Sequence, residues 1–448
     1  FKPGKSVPMS SATPQKSAVP LRVGIAGLGV VGGEVARQLS HQADHLAGVA
    51  GRPFQITVVS ARSRDTDRGF DMAGIDWVDN AAVIADRDDV DIVVEMIGGE
   101  EGVALDLVTR ALETGKHVIT ANKAMLAHHG TRLARLAEEN DVALMYEAAI
   151  AGGIPAVKSL REGLAGNRVS RVSGILNGTC NYILTRMEKT GEPFDAVLAD
   201  AQTLGYAEAE PSLDVDGIDA AHKLTLLAAI AFAQTPQFDK VAISGIRDVS
   251  AVDFAYAAQL GFRIKLVGVA EPGRMPRMQT CLLPTSTQLA KVDGVLNAVA
   301  FEGEPVGATV QTGPGAGAGP TSSAALSDLV DIAAGRIPYT FGRPVETLLD
   351  GSKVENGGGP DTPFYVRLMV VDKPGVLADV TSVLQTHGIS VESLLQQGRA
   401  PQDVVALVMT THEVSVDRLM KALDEIESLS CVQAPPVAMP IVIADQEG

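Results

Sequence analysis

The chain has 448 residues, 46% of them hydrophobic, and a formal net charge of −17 at neutral pH. That length predicts about three domains with ample apolar material for packed cores. The acidity, and the absence of any basic run, exclude nucleic acid and an anionic membrane surface as partners. No apolar stretch reaches transmembrane length. Three widely spaced cysteines, Cys180, Cys281 and Cys431, argue against a disulfide scaffold and for a reducing, cytoplasmic setting. Residues 1–20 are rich in Pro, Ser and Lys without the apolar core of a signal peptide. They are expected to form a disordered arm, with Met9 a candidate natural start.

Leu21 to Ala26 reads as a short buried strand that runs into Gly27-Leu28-Gly29-Val30-Val31-Gly32 and then a helical pattern. Glycines at this spacing permit a tight turn, close approach of a pyrophosphate to the backbone, and close packing of helix on strand. Such a turn, bracketed by strand and helix, predicts dinucleotide binding at the positive end of the helix. A second strand ends near Ser60, where an acidic residue would bind the ribose of NAD. Arg62 and Arg64 stand there instead, which favours NADP(H) over NAD(H), although the nearby Asp65 leaves NAD(H) possible.

Further strands are expected at Asp91 to Ile97, at HVIT before Ala121-Asn122-Lys123-Ala124, and at VALMYEA, with helices between them. This alternation predicts a parallel, doubly wound, Rossmann-type sheet over 21–150. Loops at the carboxyl ends of its strands would line the cofactor crevice, and Lys123 is expected in one of them. Glu147 to Pro155 reads as a glycine turn leading to a helix, with exposed carbonyls that could hold a monovalent cation; the spacing alone does not favour a metal.

From Lys158 the pattern loosens into an expected mixed sheet, with strands at VSRVSGIL, RIKLVGVA and MQTCLLP and a turn at Asn177 to Asn181. A second glycine-rich loop, Thr312 to Gly319, precedes a helix expected to return and pack on the first domain. Between these lies Ala201 to Lys223, which gathers Glu208, Asp214, Asp216, Asp219 and Lys223 ahead of the apolar run LTLLAAIAFA. A helix is expected from about Gly217 or Ile218, with Asp219 and Lys223 on one face. Because the helix is apolar on every side, it is buried, and Lys223 is held at a cleft or in the interior.

Residues 346–362 read as a linker containing Gly357-Gly-Gly-Pro360. Beyond it, 363–440 predicts a β-α-β-β-α-β order, a ferredoxin-like module with no catalytic constellation of its own.

The Ala201-to-Lys223 stretch, with Gly205, Tyr206, Ala207, Pro211, Asp214, Val215, Gly217 and Asp219, resembles the signature of the bacterial homoserine dehydrogenase family. The resemblance covers essentially everything after the first twenty residues. Glu210 departs from the pattern, standing before Pro211 where a shorter side chain is usual, and should need only a local loop adjustment. The resemblance implies an NAD(P)-dependent interconversion of L-homoserine and L-aspartate 4-semialdehyde, with 151–345 an α+β catalytic and dimerisation domain. It implies that Lys223 gives a proton to the carbonyl oxygen, with Lys123 between cofactor and substrate. Glu208 and Asp219 would hold the substrate, with Asp214 in the same network. Gly205, Gly315 and Gly317 would touch the cofactor, and Glu147, Ile150, Gly152 and Ile154 match a site for Na+ or K+. Asp372-Lys-Pro-Gly375-Val376-Leu377 and Gly388-Ile389 are similar to ACT domains, implying an amino-acid effector with L-threonine expected. A homodimer or homotetramer is expected. With twenty residues ahead of the first strand, the expectation is a monofunctional form rather than one fused to an aspartokinase. Two other readings stay open: another NADP-dependent oxidoreductase of amino-acid semialdehydes or 2-hydroxy acids, and a non-catalytic amino-acid sensor. The sensor reading predicts loss of Lys123, Glu208, Asp219 or Lys223, and all four are present.

Overall fold

The computed structural model describes residues 19–354, 361–396 and 403–442. Residues 1–18 of the expected arm and the Gly357–Pro360 run of the linker lie outside the described residues. Three sheets organise the described residues. The first contains β1 (Leu21–Ala26), β2 (Phe54–Ser60), β3 (Asp76–Trp77), β4 (Ile92–Glu95), β5 (His117–Thr120) and β6 (Leu144–Met145). Its order is β3-β2-β1-β4-β5-β6, every pairing parallel. Near-continuous apolar runs such as Ile92–Val94 are buried because helices cover both faces of a parallel sheet. The strand order reverses between β1 and β4, which opens a crevice at their carboxyl ends.

The second sheet comprises β7 (Arg168–Ile175), β8 (Ala242–Ile243), β9 (Phe262–Ala270), β10 (Arg277–Pro284), β11 (Leu296–Glu304) and β12 (Gly307–Pro314). Its order is β12-β11-β7-β9-β10-β8, and it is mixed, as expected, because β8 joins β10 in parallel. β11 and β12 form an antiparallel hairpin, and β12 takes in Thr312 to Pro314, the start of the expected glycine-rich loop. The helix Ile218–Phe232 lies beneath this sheet, with every residue from Ala220 to Ile230 buried. The helix Ala318–Ala333 packs on the first helix of the chain, Val30–His41, with Ala325 and Leu329 joining the core under the first sheet.

The third sheet is antiparallel, with β13 (Phe364–Val371), β14 (Val391–Gln396), β15 (Val404–Thr411) and β16 (Val432–Pro440) in the order β14-β15-β13-β16. Helices Val376–Thr386 and Val416–Glu427 complete the ferredoxin-like order.

Three local expectations change. VALMYEA contributes only Leu144–Met145 to the sheet, because the chain turns at Glu147 and the Glu147 N–H donates to Asp328 instead of a neighbouring strand. Lys123 is the first residue of a helix, Lys123–Glu139, and not part of a loop; Asn122 caps that helix by accepting the Met125 N–H. Asn177–Asn181 is likewise the start of helix Gly178–Thr190, where the Asn177 side chain accepts the Cys180 N–H.

Candidate active site

The glycine turn shows what each glycine is for. A Cβ on Gly32 would lie 1.8 Å from the Gly27 carbonyl oxygen, and one on Gly27 would lie 2.6 Å from the Met96 carbonyl oxygen. Gly27 also has φ +92°, so both positions are closed to other residues by packing. Around Gly29 there is open space within 4 Å, which leaves its backbone bare to an incoming ligand. Gly29 is the N-cap of helix Val30–His41, Leu28 is buried, and Val30 points outward at 76% exposure while Val31 packs on the core. This is an anion seat at a helix start. Arg62 is exposed beyond β2. Arg68, missed in the sequence, donates to the Leu28 carbonyl and stacks over Trp77, tying the loop after β2 to the glycine turn.

At the crevice end of β4 and β5 a buried polar network sets the position of Lys123. The Glu95 carboxylate accepts the N–H groups of Ile97 and Gly98 and the Thr120 hydroxyl. The Thr120 oxygen in turn accepts the Asn122 N–H, and the Asn122 side chain donates to the Gly99 carbonyl. With Asn122 so fixed, the helix starting at Lys123 has one direction to leave by, and Lys123 is carried toward the second domain.

There Lys123 Nζ meets Asp219 Oδ1 at 2.9 Å, and Lys223 Nζ meets Asp219 Oδ2 at 2.7 Å. One carboxylate therefore bridges two ammonium groups, one from each of the first two domains. Burial alone would raise the Asp219 carboxyl, but Lys223 and Lys123 together outweigh it and hold it well below the usual carboxylate range. The Asp219 charge, against burial, raises Lys123. Lys223 also donates to the Leu176 carbonyl at 2.9 Å. Asn177 completes the cluster by donating to Asp214 at 2.7 Å and to Asp219 at 3.1 Å. Because its amide oxygen caps the next helix, both its N–H groups are free to serve the carboxylates. Burial pushes the Asp214 carboxyl up, against Asn177, so the two acids of the cluster are held at different values.

The structure thus brings Lys123, Asp214, Asp219 and Lys223 together. Glu208 stands apart. It is exposed on the loop after helix Phe194–Thr203, and its main-chain carbonyl accepts from Gln202. Gly205, on the same loop, has φ +75° and open space around it. Glu210 bends back to accept the Ser212 N–H, the local adjustment expected of its longer side chain. Asn177 and the Leu176 carbonyl were missed as site residues, since a backbone acceptor leaves no sequence signal; for Asn177 the helix-capping position was the available clue.

Glu147 occupies a second buried acid site. Its carboxylate oxygens accept the N–H groups of Val157 and Lys158, both at 2.9 Å. Burial and the neighbouring Asp328 charge push it up to about 7, while burial pushes Asp328 up to about 6. The Ile154 carbonyl accepts the Ala156 N–H, and Ile150 is buried. A Cβ on Gly152 would lie 2.6 Å from the Gly315 carbonyl oxygen, and one on Gly315 would lie 2.1 Å from the Asn297 side chain. Gly317, φ +121°, starts the helix that returns to the first domain. The two glycine loops therefore touch. Among the described residues no group of three or more His, Cys, Asp or Glu side chains could hold a metal ion. The Glu147 carboxylate, bonded to the Val157 and Lys158 N–H groups, fits a helix cap.

In the third domain, Gly375 (φ +100°) starts helix Val376–Thr386 and Gly388 (φ +63°) ends its exit turn. Val376 and Ile389 are buried, Leu377 is 46% exposed, and the Asp372 N–H donates to the Asp403 carbonyl.

A glycine turn at the carboxyl end of a parallel sheet, with a part-buried lysine–carboxylate–lysine bridge from that domain to the next, is the arrangement of a dinucleotide-dependent oxidoreductase. Comparison with known proteins gives the family. Residues 27–147 match the homoserine dehydrogenase NAD-binding domain, 155–330 the homoserine dehydrogenase domain, and 364–431 the ACT domain. A homoserine dehydrogenase of Pseudomonas aeruginosa is 42% identical over 93% of this chain and 98% of its own. The crystal structure of a homoserine dehydrogenase from Thiobacillus denitrificans superposes with a TM-score of 0.88 at 38% identity, over 95% of this chain and 99% of that one. A hyperthermophilic archaeal homoserine dehydrogenase in complex with NADPH is 25% identical with a TM-score of 0.62, over 72% of this chain and 99% of that one. The chain belongs to the homoserine dehydrogenase family. Among the described residues no helix is long and apolar enough to cross a membrane.

Proposed function

We propose that this protein reduces L-aspartate 4-semialdehyde to L-homoserine, reversibly, with Lys223 as the proton donor. The observation that carries this reading is the count of donors on Lys223. An ammonium has three N–H groups; one is held by Asp219 and one by the Leu176 carbonyl. The third has no protein acceptor among the described residues and is left for a substrate oxygen. The nicotinamide cofactor, when bound, supplies the hydride. The chain's own residues then handle charge and proton: as negative charge grows on the aldehyde oxygen, the Lys223 ammonium stabilises it and gives up a proton to it. Asp219 holds both lysines in place. Lys123, with one N–H on Asp219, serves the cofactor side of the substrate. Asp214 and Glu208 supply carboxylates for the substrate's ammonium, with Glu208 reaching in from its exposed loop.

NADP(H) is the favoured cofactor, supported by Arg62 and Arg64 beyond β2 and by the NADPH complex of the archaeal relative, with NAD(H) a possible alternative. L-threonine is the proposed effector, supported by the ACT match and the glycine-bounded turn at Asp372–Leu377. A monovalent cation at Glu147, Ile150, Gly152 and Ile154 rests on resemblance alone and would have to share Glu147 with the helix cap. A homodimer or homotetramer is proposed on the same footing.

The test is oxidation of NADPH and of NADH by the purified protein with L-aspartate 4-semialdehyde, with and without L-threonine. Turnover with NADPH that exceeds turnover with NADH and slows with threonine is expected. An inert protein contradicts the reading as a whole; NADH preference or threonine indifference removes that part of it.

A further inference from the structure

The face of β13 that meets the second domain carries a polar pair in an otherwise apolar strand, FYVRLMVV. Side chains alternate across a strand. Phe364, Val366, Leu368 and Val370 therefore enter the core of the third domain, while Tyr365 belongs to the core of the second. Arg367 shares the Tyr365 face. Both reach Asp253, which is fully buried in the helix Ala251–Gln259. The Tyr365 hydroxyl donates to Asp253 Oδ1 at 2.8 Å and Arg367 Nε to the same oxygen at 2.7 Å. Ser250 donates its N–H and its hydroxyl to Oδ2, both at 2.8 Å, and Arg367 also donates to the Asp248 carbonyl at 3.1 Å. Burial and the Asp253 charge keep the Tyr365 hydroxyl protonated, so it serves as a donor.

The segment these bonds hold, 244–250, is also the backing of the catalytic turn. The Ile246 N–H donates to the Val215 carbonyl at 2.9 Å. Gly245 lies so close that a Cβ there would meet the Val215 carbonyl oxygen at 2.2 Å and the Asp216 Cα at 2.6 Å. Arg247 pairs with Asp216 and reaches the Ser212 hydroxyl. Val215 and Asp216 stand between Asp214 and Asp219. Contiguous contacts thus run from a strand of the ACT domain to the carboxylates that hold Lys123 and Lys223.

We propose that Arg367 is a positioning residue for the reaction: through Asp248 and Asp253 it fixes the 244–250 segment, and with it the turn that sets Asp214 and Asp219. This rests on the reading of Lys223 and Asp219 as the reacting machinery. The fork of the guanidinium is essential, since it bonds a side chain and a carbonyl at once, which an ammonium of lysine cannot reproduce in the same plane.

The test uses the full-length protein as wild type, Arg367→Lys, Arg367→Met and Tyr365→Phe. The readouts are kcat and KM, NADPH binding, melting temperature, and hydrogen exchange by mass spectrometry. In Arg367→Met, kcat is expected to fall by about tenfold to a hundredfold, as for a misplacement of about 1 Å. NADPH affinity should hold, and exchange should rise over 212–217 and 244–250. Arg367→Lys should recover only part of kcat, and Tyr365→Phe, which keeps the fork, should show a smaller fall in the same direction. If Arg367→Met does not fold, the same ordering of kcat and exchange is read from Arg367→Lys and Tyr365→Phe. A loss of melting temperature with kcat and exchange unchanged would make the contact structural and overturn the proposal. A wild type without semialdehyde reductase activity would instead strike the underlying reading, while the exchange data would still report on the contact.

Discussion

Two buried carboxylate sites in this protein lie at the same seam between the first and second domains, yet they are held in opposite states. At one, Asp219 faces two ammonium groups at 2.7 and 2.9 Å and is kept charged. At the other, Glu147 and Asp328 face each other with one lysine, Lys158, which lies 3.4 Å from Asp328 and is shared with Asp331. Both Glu147 and Asp328 are pushed up, toward 7 and 6. Burial penalises all three acids alike; what differs is the number of cations per carboxylate. Two ammonium groups in direct contact with one carboxylate give a fixed anion that can orient donors. One lysine shared among Glu147, Asp328 and Asp331 gives a site that takes up a proton as pH falls, suited to bracing a helix start rather than to steering a reaction.

Changes at either site should separate the two. Asp219→Asn should have the largest effect, lowering kcat by about a hundredfold to a thousandfold through loss of preorganised charge. Because Asp219 raises Lys123, its removal should also move the alkaline limb of the activity profile to lower pH; a profile that keeps its limb would detach Lys123 from Asp219. Lys158→Met comes next and should act on stability instead. Removing the ammonium that Glu147, Asp328 and Asp331 share should cost about 3 kcal/mol at pH 8, by denaturant unfolding, and less at pH 5, where Glu147 and Asp328 bind protons. Equal losses at both pH values would contradict the assignment of raised carboxyls.

The smallest effect should be a slope. The folded value of Glu147 lies near 7, above its ordinary value, so the native state holds a proton that the unfolded state gives up. Stability from this group is present below about pH 4.3 and is lost as pH rises toward 7, on the order of 3 kcal/mol over the window. Glu147→Gln should therefore flatten the fall of melting temperature between pH 5 and 8 while leaving turnover close to wild type. A large loss of turnover that added Na+ or K+ modulates would instead bring the cation into the reaction.

The contrast also marks what the sequence could disclose. Asp219 and Lys223 are four residues apart on one helix, and a helix apolar on every side told that Lys223 was held at a cleft or in the interior. The strand–glycine–helix order at Leu21–Gly32 disclosed the nucleotide turn for the same reason, since its contacts are local. Contacts that cross long stretches of chain were silent: Asp328 against Glu147, Glu95 against Thr120, Asn177 against Asp214 and Asp219, and Arg367 against Asp253. Each pairs a polar group with a partner that only folding supplies, so neither member looks special alone. Arg367 did leave one trace, a charge inside an apolar strand. Glu208 shows the opposite case, with a signature position that folding leaves exposed rather than drawn into the cluster.

If the free N–H of Lys223 delivers the proton, Lys223→Ala removes it outright. Semialdehyde-dependent NADPH oxidation should fall by about 10²- to 10⁴-fold, while NADPH binding, followed by its fluorescence, stays at the wild-type affinity. Turnover undiminished in that variant would contradict the account.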